Sequence, residues 1–328
     1  MITTAGIHHV TGIAGDAQQN VDFYAGILGL RLVKVTVNFD DPHTYHLYYG
    51  DGLGNPGTII TFFPWPRARH GRAGVGQVAV TSFAIRPDSV GFWLERFVKH
   101  GVDHGVPERR LGETVIPFRD RHSLQLALVA TQGVAEPQGW NAPRVPPDHA
   151  IRGLHSVTLW EKDATTASSI LTSALGYEQR DEDDTVRRFV APNGSNAAIV
   201  DVREVGDFLQ PLGGAGTIHH VAFRAPTDSA ELALRDQLES AGLHPTMVLD
   251  RKYFHSVYAR EPGGVLFEIA TDAPGFTVDE EPEELGSSLQ LPAQFEPERQ
   301  EIEARLPSIA PPLSPPLHRP DSHLGATR

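Results

Sequence analysis

A unit that occurs four times is the feature of this sequence that most restricts its fold. Each copy opens with a short alternating run typical of a β-strand, at residues 6–10, 76–80, 153–157 and 217–221. A stretch with apolar residues at helical spacing follows each run. Three further strand-like runs, separated by turn residues, complete each copy. The unit is therefore βαβββ, and four copies of it predict an α+β protein.

The ends of the four predicted helices can be placed from their capping residues. A short acidic side chain accepts hydrogen bonds from the free N–H groups of a first turn, and glycine commonly follows the last turn. The predicted starts are Asp16, Asp88, Asp163 and Asp228, and the predicted ends are Gly29, Gly101, Gly176 and Gly242.

Other segments divide the chain. A proline-rich linker over residues 136–150 separates the first two copies from the last two, which predicts an N-terminal domain (1–135) and a C-terminal domain (151–274). We expect residues 275–309 to form an extension that packs on the body, with a short helix around 297–306. Residues 310–328 contain five prolines and are expected to be disordered.

The charge of the chain narrows the range of partners. Its 328 residues carry a formal net charge of −13 at pH 7, which disfavours binding to nucleic acid or to an anionic membrane. The N-terminus lacks the regions of a secretory signal, and no run approaches the ~20 apolar residues that span a bilayer. We therefore expect a cytoplasmic protein that binds small molecules, or copies of itself in a homo-oligomer, and neither nucleic acid nor membrane.

Two histidines depart from the pattern of the repeats. His9 and His220 stand at equivalent places in the first and fourth copies, where the second and third copies have Ala79 and Ser156. The sequence also has no cysteine, so any bound metal must have nitrogen and oxygen ligands. The two histidines are therefore candidate metal ligands.

A glutamate completes this candidate set. Glu268 lies in the otherwise apolar run 265–270, where a carboxylate is costly to bury unless it is paired or bound to a metal. The first copy has Thr61 at the matching place, so the carboxylate is not a shared feature of the repeats. Two imidazoles and one carboxylate suit non-haem Fe(II) with open positions for substrate and oxygen, and Mn(II) could occupy the same set.

Structural interpretations of the same residues are also open. A histidine on a strand that faces a core is often a hydrogen-bonded structural residue, and a buried glutamate could pair with Arg251 or Arg260. The alternative for Tyr258 is an ordinary core or rim position, with its hydroxyl bonded to a carbonyl.

Several segments resemble the ring-cleaving dioxygenases of the vicinal oxygen chelate superfamily, which also includes glyoxalases and bleomycin-resistance proteins. They are residues 6–11, 23–34, 45–51, 56–58, 217–223, 250–268 and the tail around 285–307. The strongest motif, residues 257–268, is similar to the C-terminal part of the extradiol dioxygenase signature. Within the family, the chain looks most like the hydroquinone-type branch that includes 2,6-dichlorohydroquinone dioxygenase.

The resemblance implies a fold, a ligand set and an activity. The four modules would pair into two barrel-like domains, with the site in the cup made by modules one and four. His9, His220 and Glu268 would bind Fe(II), and Tyr258 would lie near the metal. The implied reaction inserts O2 into a small aromatic diol, and Tyr258, His8, His219 or Arg251 would supply protons and stabilise the developing negative oxygen.

One departure from the family bears on the substrate. Catechol-cleaving members have a histidine, which acts as acid–base catalyst, six to eight residues before the position of Val257. In this chain those positions are Leu249, Asp250 and Arg251. This favours the hydroquinone-type branch over catechol cleavage. His255 is not at the expected spacing, and it could be a pocket residue or lie on the surface of its strand.

Two other functions are compatible with the same superfamily. A glyoxalase-like lyase or isomerase usually has a carboxylate ligand in both metal-binding modules, and Thr61 at the second position disfavours it. A protein that only sequesters a small molecule needs no metal, so it has no use for two histidines and a buried glutamate at equivalent places.

Overall fold

The structure is a computed structural model, and it describes residues 2–133, 140, 142, 144–183, 185–194, 197–207 and 209–311. The predicted disorder of 310–328 lies almost wholly outside these residues, as does part of the predicted linker. All four βαβββ units are present in the described residues.

The first two units contain strands β1 to β8. The first consists of β1 (Ile7–Ala14), α1 (Ala17–Val21), β2 (Arg31–Asn38), β3 (Asp41–Gly50) and β4 (Ile59–Pro64), with a π-helical segment, Asp22–Ile27, that continues α1. The second consists of β5 (Gln77–Ile85), α2 (Val90–His100), β6 (Glu108–Arg110), β7 (Glu113–Arg119) and β8 (Gln125–Ala130).

The last two units contain strands β9 to β16. The third consists of β9 (Leu154–Glu161), α3 (Ala164–Ser173), β10 (Glu178–Glu182), β11 (Val186–Val190) and β12 (Ile199–Glu204). The fourth consists of β13 (Thr217–Ala225), α4 (Asp228–Ser240), β14 (Leu249–Asp250), β15 (Phe254–Arg260) and β16 (Leu266–Pro274).

The units pair across the chain rather than along it. One eight-stranded sheet has the order β14-β15-β16-β13-β1-β4-β3-β2 and joins units one and four. The other has the order β10-β11-β12-β9-β5-β8-β7-β6 and joins units two and three. Each sheet therefore combines a unit from before the linker with one from after it, and the predicted cup of modules one and four corresponds to the first sheet.

Two of the four predicted helix caps are confirmed. Asp16 accepts a hydrogen bond from the amide of Gln19, and Asp163 accepts one from the amide of Thr165. The other two predictions were wrong by one residue: Ser89 precedes α2, and Thr227 caps α4 through a bond from the amide of Ala230. Asp88 pairs instead with the neighbouring guanidinium of Arg86.

The C-terminal extension packs on the first sheet. Its short helix α5, Arg299–Arg305, places Ile302 in a small apolar cluster. The extension is also held by charge, because the fully buried ammonium of Lys34 lies 2.5 Å from both Asp279 and Glu280. No helix in the described part of the chain is long and apolar enough to cross a membrane.

Candidate metal centre

The three predicted ligands meet at the centre of the first sheet. The Nε2 atoms of His9 and His220 are 3.3 Å apart. Glu268 Oε2 lies 2.8 Å from Nε2 of His220 and 3.4 Å from Nε2 of His9. All three residues are buried. Side chains separated by 211 and 48 residues in sequence thus direct one donor atom each to a common point.

The strand register explains this convergence. β1 and β13 are antiparallel neighbours in the middle of the sheet, so they bring the two histidines together. β16 pairs in parallel with β13 and places Glu268 opposite Ala222, whereas β4 pairs in parallel with β1 and places Thr61 opposite Thr11. Glu268 and Thr61 are therefore structural equivalents, and the first unit contributes no carboxylate.

The charge balance of these three residues favours a cation. Burial would raise the pKa of Glu268, but the imidazoles of His9 and His220 outweigh burial and hold that pKa well below its usual value. Burial likewise lowers the pKa of His220, against the opposing effect of Glu268. An ionised carboxylate beside two imidazoles is a donor set for a divalent metal.

An orphaned oxygen shows that the residues fit a metal ion. Glu268 Oε2 is buried and has no hydrogen-bond partner. An unsatisfied carboxylate oxygen in the protein interior costs several kcal/mol in general, unless a cation compensates it. Imidazole nitrogens and carboxylate oxygens are donors for divalent metals, and three such atoms 2.8–3.4 Å apart could hold one ion.

Each candidate ligand histidine contacts its neighbour in the sequence. Nδ1 of His9 lies 2.9 Å from Nδ1 of His8, and Nδ1 of His220 lies 2.7 Å from Nδ1 of His219. A metal-bound imidazole commonly donates its second ring N–H to such an acceptor, which fixes the tautomer. Burial, with the adjacent His9 next in importance, lowers the pKa of His8 well below its usual value, which suits an acceptor role.

Ser256 is a neighbour of the carboxylate that the sequence interpretation missed. Its hydroxyl donates a 2.5 Å hydrogen bond to Glu268 Oε1, and Oε2 is the oxygen that lies beside the two histidines. Ser256 lies on β15, two residues before Tyr258, which pairs with Glu268 across the strands. The alternation of strand side chains could have identified it, because residues 256 and 258 share a face.

A cavity of about 350 Å³ opens above the three ligands. Aromatic rings form much of its wall, including those of Phe39, Tyr48, Phe63, Trp65 and Phe254. A cavity of this size fits a small ring compound. The sequence interpretation assigned none of these rings to the site.

Three of the four other predicted site residues line this cavity. They are His219, Arg251 and Tyr258. His8 instead lies beside His9 and packs on Phe254, with ring centroids 5.3 Å apart. The structure therefore places His8 behind a ligand rather than against the space that a substrate would fill.

Arg251 lies over the cavity and does not pair with Glu268. Its guanidinium lies 5.3 Å from the ring centroid of Tyr258 and 3.6 Å from the carboxylate of Asp40. Arg260 donates to the carbonyl of Gly264. The two arginines that could have neutralised Glu268 thus have other partners.

On the side of the first unit, the cavity is bordered by a hydrogen-bond network of uncharged side chains. His46 Nε2 is 2.8 Å from the hydroxyl of Thr61, which is 2.9 Å from that of Thr11. Tyr48 lies opposite Thr61 across the strands, just as Tyr258 lies opposite Glu268. The hydroxyl of Tyr48 is hydrogen-bonded to Nδ1 of His46. A comparison of β3 with β15 in the sequence could have identified this counterpart.

The second sheet holds an ion-pair network at the equivalent place. Asp201 lies opposite Thr158, as Glu268 lies opposite Ala222. The guanidinium of Arg188 bonds both oxygens of Asp201, and it also bonds Glu113. The sequence comparison overlooked Asp201. A permanently charged guanidinium therefore neutralises this carboxylate, whereas the side chains beside Glu268 Oε2 are the imidazoles of His9 and His220.

Comparison with known family models places this chain in a superfamily. The sequence matches the family described as the Glyoxalase/Bleomycin resistance protein/Dioxygenase superfamily over residues 6–128 and 153–269. The chain belongs to this superfamily. The two matched segments cover most of the chain and fall on either side of the predicted linker.

Two relatives specify the group within the superfamily. MhqO of Bacillus subtilis, named a ring-cleaving dioxygenase, is 46% identical over 308 residues that cover 92% of this chain and 96% of the relative. The chlorohydroquinone/hydroquinone 1,2-dioxygenase of Sphingobium indicum is 35% identical over 308 residues, or 90% of this chain and 94% of the relative. This superfamily member is therefore an enzyme of the ring-cleaving dioxygenase group, as the sequence predicts.

Solved structures support the fold. A crystal structure of a Bacillus subtilis protein described as a dioxygenase has a TM-score of 0.91 and 43% identity, and covers 95% of this chain and 99% of its own. Glyoxalase I from Zea mays has a TM-score of 0.61 at 15% identity, and covers 81% of this chain and 92% of its own. The maize enzyme shows only that the architecture of the superfamily is shared.

Proposed function

We propose that this enzyme uses O2 and a bound Fe(II) ion to open the ring of a hydroquinone-type diol. The observation that carries the proposal is the convergence of His9, His220 and the orphaned Glu268 Oε2 at the floor of an aromatic cavity. Two imidazoles and one carboxylate are a donor set that suits non-haem Fe(II) and leaves coordination positions open for substrate and O2. Mn(II) is the alternative ion. The name of the Sphingobium indicum relative supports a hydroquinone as the substrate class.

The metal, when bound, would lower the pKa of a coordinated phenol and place it beside O2. Residues of the chain would do the rest of the binding. The rings of Phe254 and Phe63 lie on the cavity wall, where they can pack against a flat aromatic substrate. They also restrict access of water to the reacting ring.

Three polar side chains would stabilise negative charge on the substrate and exchange protons with it. The guanidinium of Arg251 is fixed over the cavity and would stabilise a phenolate oxygen. Burial, followed by the charge of Glu268, raises the pKa of Tyr258 far above its usual value, so its hydroxyl stays protonated and acts as a donor. His219 also lines the cavity and can exchange a proton with a substrate hydroxyl.

The lyase alternative is disfavoured by the first unit. Thr61 is the equivalent of Glu268, and it is engaged by His46 and Thr11. The site therefore lacks the second carboxylate of a glyoxalase-type ligand set. Simple sequestration of a ligand would not account for the orphaned oxygen.

The experiment is oxygen uptake by protein reconstituted anaerobically with Fe(II) or with Mn(II). Hydroquinone, methylhydroquinone and catechol are compared, and the ring-opened product is identified by mass spectrometry. We expect uptake with the para-diols at one oxygen molecule per ring, and its loss in His220→Ala. His244→Ala, at an exposed histidine, is the matched control.

Other outcomes would contradict the proposal in distinct ways. Uptake with catechol alone would contradict the substrate class. Bound metal without uptake for any diol would contradict oxygen insertion, and glutathione adducts would then be the next substrates to test.

A further inference from the structure

A second group of potential metal ligands lies away from the cavity. Asp228 and Glu231 are in the first turn of α4, and His255 is on β15. One ligand atom from each of the three lies within 4.8 Å of the others. Nδ1 of His255 is 3.1 Å from Oδ1 of Asp228. None of the three lines the aromatic cavity, so His255 is not a residue of that site.

The strand register separates this cluster from the dioxygenase centre. Ser256 and Tyr258 direct their side chains toward Glu268 and the cavity. His255 precedes Ser256, so its side chain lies on the opposite face of the sheet, where α4 packs. The two donor groups therefore lie on opposite faces of β15.

Glu231 provides independent evidence that the cluster is incomplete without a ligand. Only 1% of Glu231 is exposed, and its buried Oε1 has no hydrogen-bond partner. Burial raises the pKa of Glu231 to about 7, so its unpartnered oxygen is compensated either by a proton or, when the carboxyl is ionised, by a cation. The potential ligand atoms nearest to it belong to an imidazole and another carboxylate, and neither supplies a fixed positive charge.

We propose that Asp228, Glu231 and His255 form a second divalent-cation site, for an ion such as Zn²⁺ or Mn²⁺. One imidazole and two carboxylates are nitrogen and oxygen donors that both ions accept. Asp228 and His255 are partly exposed, which leaves an entry path and room for water ligands. The two carboxylates also offset the positive end of the helix macrodipole, which alone would repel a cation.

Occupancy of this site would fasten α4 to β15. The ion would bridge the first turn of the helix and a strand residue adjacent to Ser256, the hydrogen-bond donor of Glu268. A crosslink between packed elements restricts their relative motion. The site thus has a structural role in supporting the strand that carries Ser256 and Tyr258.

The test is the number of Zn²⁺ ions bound per full-length chain, measured by equilibrium dialysis and elemental analysis. We expect about two ions in the wild-type protein and about one in Glu231→Gln and in His255→Ala, because each variant removes one donor of the three. Glu268→Gln should also bind about one ion, and the Glu268→Gln, His255→Ala double variant should bind none. Glu239→Gln, at an exposed glutamate of the same helix, should behave as wild type.

Two results would overturn the proposal. One is a wild-type protein that binds a single ion, lost in Glu268→Gln and kept in His255→Ala. The other is a second ion that persists in both Glu231→Gln and His255→Ala. Circular dichroism of each variant checks folding, and His255→Ala changes a partly exposed side chain, so it tests the site even if Glu231→Gln fails to fold.

Discussion

At the scale of single residues, the surroundings of Glu268 are the hardest to explain without a metal. The residue is fully buried, one oxygen accepts from Ser256, and the other has no hydrogen-bond partner. Its equivalent in the first unit, Thr61, is satisfied by neutral groups, and Asp201 in the second sheet is satisfied by Arg188. The equivalent position in three units thus has three different electrostatic environments, and of these three only that of Glu268 leaves an oxygen without a hydrogen-bond partner.

Ser256→Ala tests how much this single hydrogen bond supports the centre. Loss of a hydrogen-bond partner of a metal ligand commonly lowers metal affinity about 10–100-fold, and we expect a decrease in that range for Fe(II) or Mn(II). Competition with a chromophoric chelator measures it. Ser240→Ala, at an exposed serine of α4, should leave the affinity unchanged. Equal affinities in all three proteins would show that Glu268 needs no help from Ser256.

At the scale of elements, two buried glutamates, one from each sheet, lie close together beside Gly263. Glu161 ends β9, and Glu261 lies in the turn between β15 and β16, where it accepts from the amides of Gly263 and Val265. Burial, together with the charge of Glu261, raises the pKa of Glu161 from 4.5 to about 8. Glu161 therefore keeps its proton in the folded protein at neutral pH.

This pair predicts a pH dependence of stability with a defined sign. Between about pH 4.5 and 8 the folded protein holds a proton on Glu161 that the unfolded chain has lost, so the free energy of unfolding falls as the pH rises. The side chain of Glu161→Gln stays neutral at every pH. The free energy of unfolding of this variant, relative to that of the wild type, should therefore rise by about 1–3 kcal/mol from pH 5 to pH 9. Urea unfolding at both pH values measures this gain. If the wild type and the variant lost stability in parallel, the pKa of Glu161 would not be raised.

At the scale of the whole molecule, the repeats explain what the sequence could predict. The order βαβββ and the three candidate ligands follow from comparison of equivalent positions such as His9 and His220, and the cup of modules one and four follows from the family resemblance. The sequence did not predict Ser256, His46 or the aromatic wall, because ordinary strand residues become site residues only through register. Asp228 was misplaced as a cap because the hydroxyl of Thr227 accepts the capping bond of α4. Asp88 was misplaced because it lies within the short 3₁₀ turn Pro87–Ser89 that precedes α2.

The pairing of units across the chain leads to a last prediction, about fragments. β1 forms its central antiparallel pair with β13, so residues 1–132 lack both a strand neighbour and two ligands, and residues 151–309 lack His9. Neither fragment alone should bind Fe(II) tightly, because each sheet would have an exposed edge at its middle. The two fragments refolded together should regain one ion at the His9 centre, measured by anaerobic titration. Tight binding by the fragment 1–132 alone would contradict both the ligand assignment and the need for paired units.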